Sequence, residues 1–153
     1  HTPHDVDEIH QLRKSLELLA MDLAQPHLDE QVLRELLHEH EQISRPLEGS
    51  QGFYDFEMVN RHFHDALAEM SQNQRLVDFL RILRARGVSR HYIAMRFPGR
   101  DDQALDEHIA ILNALLAREH ARAKELMAER LDITHQNHLI IALELWQNEI
   151  VSD

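Results

Sequence analysis

Apolar positions recur with a helical period along nearly all of this 153-residue chain, and no stretch alternates with the period of two that marks a half-buried strand. The pattern predicts a first helix over about 5–24, with Val6, Ile9, Leu12, Leu16, Leu19, Ala20 and Leu23 inward and Asp5, Asp7 and Glu8 at its electropositive N-terminal end. Pro26 ends it. A second helix follows over about 29–44, with Val32, Leu33, Leu36, Leu37 and Ile43 inward, stopping before Pro46. Gly49-Ser50-Gln51-Gly52 reads as a loop, and a third helix over about 53–70 turns Phe56, Val59, Phe63, Leu67 and Met70 to one side. Residues 71–73 form a break, with Asn73 as N-cap of a fourth helix that runs to about 95 and is weakened by Gly87 and Ser89. Phe97-Pro98-Gly99-Arg100 is the clearest turn in the chain. A fifth helix over about 102–117 and a last pattern over about 119–146, breaking near Asp132, complete an all-α fold. Short connections make it an antiparallel bundle of about six helices, and one domain spans 1–153.

Composition narrows the function. Four glycines and four prolines are too few for a strand-rich sandwich or barrel. The absence of cysteine removes disulfides, thiol catalysis and thiolate metal sites, and it suits a reducing, cytoplasmic setting. No apolar run approaches the ~18 residues of a membrane span, and no signal peptide opens the chain. A net charge of −11 makes the chain by itself a poor binder of duplex DNA. Serine-nucleophile motifs, phosphate-binding glycine loops and paired catalytic carboxylates are missing, so no turnover is expected.

Thirteen histidines are a clear excess. Asn60 and His64 are i and i+4 and share one helix face, and His108 points inward beside Leu105, Leu112 and Leu115. Three polar side chains thus stand where a bundle would use leucine; they are either neutral core histidines satisfied by hydrogen bonds or the lining of a polar cavity. His38-Glu39-His40 and His62-Phe63-His64 cannot chelate as pairs, because i and i+2 on a helix point about 200° apart. Glu35-Leu36-Leu37-His38 supplies one E-x-x-H, whereas a di-iron bundle needs two on different helices. His1, His4 and His10 sit near an exposed end. Arg13 interrupts the apolar stripe of the first helix and requires a partner, Glu17 being in reach at i+4. Between 75 and 100 stand seven arginines and a single acid, Asp78; they read as a solvated face, with one of Arg81 or Arg84 free to line a pocket.

Four segments resemble a known family. Asn60-Arg61-His62-Phe63-His64-Asp65-Ala66-Leu67 followed by Ser71-Gln72-Asn73 is similar to the "D/N-x-x-F-H-x-x-L…N" signature of FCD, the C-terminal ligand-binding domain of FadR-like GntR bacterial transcription regulators. Glu107-His108-Ile109-Ala110-Ile111-Leu112 resembles its "E-H-x-x-I-L" segment, and the string from Ala123 to Leu131 its "A-x-x-x-M-x-x-H-L" segment. Leu12-Arg13-Lys14-Ser15-Leu16-Glu17 resembles its first-helix "R-x-x-L-E". The resemblance covers roughly 6–145, with the motifs in order. His135 and His138 lie beyond them.

The resemblance implies an effector-sensing and dimerisation domain: a homodimer that binds a small carboxylate inside the bundle. Operator DNA would be reached only through an N-terminal winged helix, absent from a chain that starts a few residues before its first helix. It also implies a divalent metal, zinc or nickel, held by one Asp or Asn and three His; Asn60, His64 and His108 match three of those positions. Arg130, 22 residues after His108, stands at the third histidine, and a guanidinium does not ligate metal. The metal is therefore expected to be weakly held, with Arg130 supplying positive charge to the effector together with Arg13, His64 and His108. The competing readings are a metal-dependent helical-bundle enzyme and a purely structural dimerisation module without a buried polar pocket.

Overall fold

The computed structural model describes residues 2–152, and among them are seven α-helices and no strand. They are α1 (Pro3–Ala24), α2 (Glu30–Gln42), α3 (Gly49–Met70), α4 (Gln74–Ala85), α5 (Arg90–Arg96), α6 (Arg100–Leu116) and α7 (His120–Ser152), with a 3-10 turn at Gln25–His27. His1 lies outside the described residues. Local chemistry sets the starts. Thr2 and Asp5 form a reciprocal capping box ahead of α1, with Pro3 at the first helical position, where its missing N–H costs nothing. The Asp29 carboxylate accepts from the Gln31 and Val32 amides, and the Asn73 side chain accepts from the Leu76 amide at the head of α4. Asn73→Ala is therefore expected to lower stability by about 1 kcal/mol, read as a reduced urea midpoint at unchanged slope.

Three local expectations are corrected. The Gly49–Gly52 stretch is the first turn of α3 and not a loop: a Cβ on Gly52 would lie 2.9 Å from the Leu47 carbonyl carbon, so this glycine admits a crossing backbone. The helix expected from Asn73 to about 95 is two helices, since the chain leaves helical geometry after Ala85 and restarts at Arg90, around Gly87 and Ser89. In α7 no break occurs near Asp132. Its carboxylate accepts two hydrogen bonds from Lys14 Nζ, at 2.9 and 3.0 Å, and so does not compete for the helix backbone. Gly99, at φ +84°, takes the left-handed position that starts α6.

α7 packs against α1 and α6, α6 against α2, and α1 against α3 and α4. Their main core joins Leu33 and Leu36 of α2, Phe63 and Leu67 of α3, Ile111 and Leu112 of α6, and Met127 and Leu131 of α7. A second cluster holds Ala20, Ala68, Leu76, Val77 and Leu80 where α1, α3 and α4 meet, with Leu16 against it. Each fully buried Leu, Ile, Val, Phe or Met side chain among them stabilises the fold by roughly 1.5–3 kcal/mol. Among the described residues no helix is long and apolar enough to cross a membrane.

Candidate functional site

The bundle does not fill its interior. A cavity of about 440 Å³ lies between α1, α3, α7 and the α4–α5 connection, and its walls include Arg13, Asn60, His64, Arg84, Arg130 and His138. The helical period explains the convergence: Asn60 and His64 are one turn apart on α3, and Arg130, Thr134, Asn137 and His138 fall at i, i+4, i+7 and i+8 on α7. On α1, Arg13 reaches the wall one turn before Glu17, whose carboxyl is buried beneath it.

The buried polar atoms form one hydrogen-bonded chain and one group in electrostatic contact only, and each presents a free lone pair. His40 Nδ1 lies 2.7 Å from the Leu36 carbonyl, so that nitrogen must be the donor. Burial lowers the pKa of His40 and keeps the ring neutral, leaving Nε2 as an acceptor for His108 Nδ1–H at 3.0 Å. His108, held well below the ordinary histidine range first by burial and then by Arg130, is neutral too, so its Nε2 carries a lone pair; that atom is buried without a partner. The second group is built around Glu17. Burial opposes its charge, but the facing His64, Arg13 and Arg84 outweigh burial and bring its pKa to about 2. For His64 burial outweighs the pull of Glu17, and Arg130 and Arg13 add to it, so the ring is neutral with a pKa of about 3. His64 Nδ1 faces Glu17 Oε1 at 3.7 Å, beyond hydrogen-bond reach, and the carboxylate charge favours the ring proton on Nδ1, which leaves Nε2 with a lone pair. Asn60 Oδ1, Glu17 Oε1 and both ring nitrogens of His64 are likewise buried without a hydrogen-bond partner.

The guanidiniums sort into two groups. Arg90 donates to Glu57 at 2.9 Å and to Asp101, and Arg100 grips Glu107 with two bonds of 2.7 and 2.8 Å. These close the wall. Arg13 Nε, Arg84 Nη2 and Arg130 Nε and Nη1 are buried with no hydrogen bond. Their nearest acids stand at 3.5 Å (Arg13 to Glu17), 3.3 Å (Arg84 to Asp65, outside hydrogen-bond geometry) and 3.7 Å (Arg130 to Glu107). Burial first, and then Arg13, lower the Arg130 pKa to about 9. A buried donor without an acceptor costs about 1–3 kcal/mol, so this wall is held at a cost that an anion would relieve.

The structure places the seven residues singled out from the sequence as follows. Arg13, Asn60, His64 and Arg130 are on the cavity wall; Arg84 joins them with its head group inward, while Arg81 lies at the rim, half-exposed. His108 is fully buried behind the wall, its ring stacked on Phe63 at 3.9 Å and edge-on to His64 at 5.5 Å. The arginines of 75–100 are not one solvated face, because Arg84, Arg90 and Arg100 turn inward. His10 is not at an exposed end: it is half-buried and stacks on His135 at 4.0 Å. Sequence reasoning missed His40 and His138. His40 continues the Leu33, Leu36, Leu37 stripe at i+7, and His138 continues the polar stripe from Arg130 at i+8; in both cases the period was the available signal.

The donor set does not suit a firmly held divalent cation. The lone pairs of Asn60, His64 and His108 are all neutral, Arg130 brings a positive charge into the same interior, and no group of three His, Cys, Asp or Glu fit to hold a metal occurs among the described residues.

Comparison with known proteins accords with this architecture. The FCD domain model matches residues 8–132. An uncharacterized HTH-type transcriptional regulator of Bacillus subtilis (strain 168), YdhC, is 27% identical over 132 residues, which are 80% of this chain and 57% of that protein. The chain thus spans little more than half the length of that relative. With most of its length under the family model, this chain belongs to the FCD domain family of GntR-type transcription regulators.

Proposed function

We propose that this domain senses a small organic acid in the bundle interior and transmits its binding through a homodimer to a winged-helix DNA-binding domain elsewhere in the full regulator. The observation that carries the reading is the cavity itself, walled by three guanidiniums that each hold at least one buried N–H without an acceptor. A purely structural dimerisation module would have no use for it, since packed leucines in the same place would be more stable. Arg13, Arg84 and Arg130 come from α1, α4 and α7, so an anion between them ties three helices together. α1 and α4 also leave Leu12, Leu19, Leu23, Phe79 and Ile82 exposed, and these form the proposed dimer face. A ligand that favours one disposition of α1 and α4 then biases dimer geometry by its differential affinity, and operator binding follows by linkage.

Two measurements test this. A hydroxy acid, dicarboxylate or sugar acid at 100 times its Kd should raise the Tm by roughly 5–10 °C. Sedimentation should give a dimer, and Phe79→Glu a monomer with unchanged circular dichroism. A screen of such acids without one stabilising compound would overturn the sensor reading, and a strict monomer at high concentration would overturn the dimer for this chain.

A further inference from the structure

We infer that the cavity takes a hydroxy-carboxylate directly, without an intervening metal ion: the guanidiniums of Arg13, Arg84 and Arg130 hold the carboxylate, and Asn60 Oδ1 and His64 Nε2 accept from the hydroxyl. The inference rests on the sensor reading and adds the chemical class of the ligand and the way it is held.

The argument is the complement of unmet hydrogen-bonding groups on the wall. Four donor atoms (Arg13 Nε, Arg84 Nη2, Arg130 Nε and Nη1) lack acceptors, and a carboxylate supplies acceptors only. Asn60 Oδ1 and His64 Nε2 lack donors, and a plain or keto acid ionised at neutral pH has no O–H to give them. Glu17 Oε1 is the acid beside His64 Nδ1, at 3.7 Å and beyond hydrogen-bond reach, and its charge favours the proton on Nδ1 over Nε2. Behind it His108 Nε2 adds a third lone pair, with its own tautomer set by His40 at 3.0 Å. A metal ion would also satisfy lone pairs, but it would bring two further positive charges beside Arg130, which is 5% exposed and has no acid closer than 3.7 Å. A hydroxyl satisfies them without that repulsion. The guanidinium then provides permanently the positive charge that a cation would otherwise bring to the carboxylate.

The test is calorimetric titration in chelator with matched acids: lactate against propanoate and pyruvate, malate against succinate and oxaloacetate, gluconate against hexanoate. The hydroxy member should bind about 10- to 100-fold more tightly than its partners, with the same affinity when chelator is replaced by zinc. Arg130→Met should fold, since it removes a buried charge without a close partner, and should lose about 100-fold or more in affinity. Asn60→Leu should keep acid binding while the hydroxy-to-deoxy ratio falls toward one. Arg130→His should make acid binding zinc-dependent by restoring a third imidazole. Equal affinity across each matched set, binding abolished by chelator in the unmodified protein, or full affinity in Arg130→Met each overturns the inference while leaving the sensor reading standing. Failure of every acid overturns both.

Discussion

Acidification is expected to unfold this protein near pH 4, well above the range in which a carboxylate-limited bundle would fail. His138 carries the clearest part of the effect. Burial first, then Arg13 and Arg90, hold its folded pKa at about 4 against 6.5 for the free side chain. Below pH 6.5 the unfolded chain takes up a proton that the folded chain refuses, so stability is complete above pH 6.5 and falls as the pH drops toward 4. At pH 4 that single residue costs about 3 kcal/mol. His64 at about 3, together with His40 and His108, whose pKa values burial also lowers, act with the same sign over the same window. Glu17, held at about 2, adds a further loss that begins only below pH 4.5. Domains of this size have roughly 5–15 kcal/mol in total, so the histidines alone can exhaust it. Urea midpoints at pH 7, 5.5 and 4.5 should fall steeply, and His138→Gln should flatten the slope. A midpoint unchanged between pH 7 and 5 would show that these rings are not buried in their neutral form.

Glu17→Ala should be the most damaging single substitution at the site, costing about 3–5 kcal/mol. Glu17 is 3% exposed and is the buried acid shared by Arg13, at 3.5 Å, and His64, at 3.7 Å. Its removal leaves the Arg13 guanidinium, 16% exposed, with no counter-charge. The double variant Glu17→Leu with Arg13→Met should recover most of the loss, because two packed apolar side chains replace a desolvated pair at little net cost. The coupling between the two positions in a chemical-denaturation cycle should therefore be about 2–3 kcal/mol. A Glu17→Ala cost below about 1 kcal/mol would mean that water already reaches the pair.

The second effect depends on residues whose direction was partly legible in the sequence. Arg13 stood out because it interrupts an apolar stripe, and Glu17 was its neighbour at i+4. That Glu17 would also face His64, 47 positions further along the chain, was not legible, since it depends on how α1 and α3 are rotated against each other. His40 makes the same point. Pair-wise reasoning on His38 and His40 dismissed chelation by the two together, yet one of two residues about 200° apart on a helix must face inward. It is His40, fully buried and bonded to a histidine from α6.

The sequence by itself determined the helical fold, because a 3.6-residue apolar period with few glycines and prolines leaves no other way to bury these side chains. Local sequence also set the starts of α1, α2 and α4, where Thr2, Asp29 and Asn73 meet orphan amides within three positions of themselves. Such interactions are local, so spacing along the chain is enough to read them. Tertiary structure alone decided which stripes meet. The Gly52–Leu47 crossing admitted α3 four residues earlier than the pattern suggested, and the unbroken α7 carried Thr134, Asn137 and His138 to the same wall as Arg13. The period fixes which residues share a face of one helix. The depth and rotation of that face against its neighbours follow from packing the whole bundle at once, and that packing left a cavity whose unmet donors and lone pairs come from four different helices.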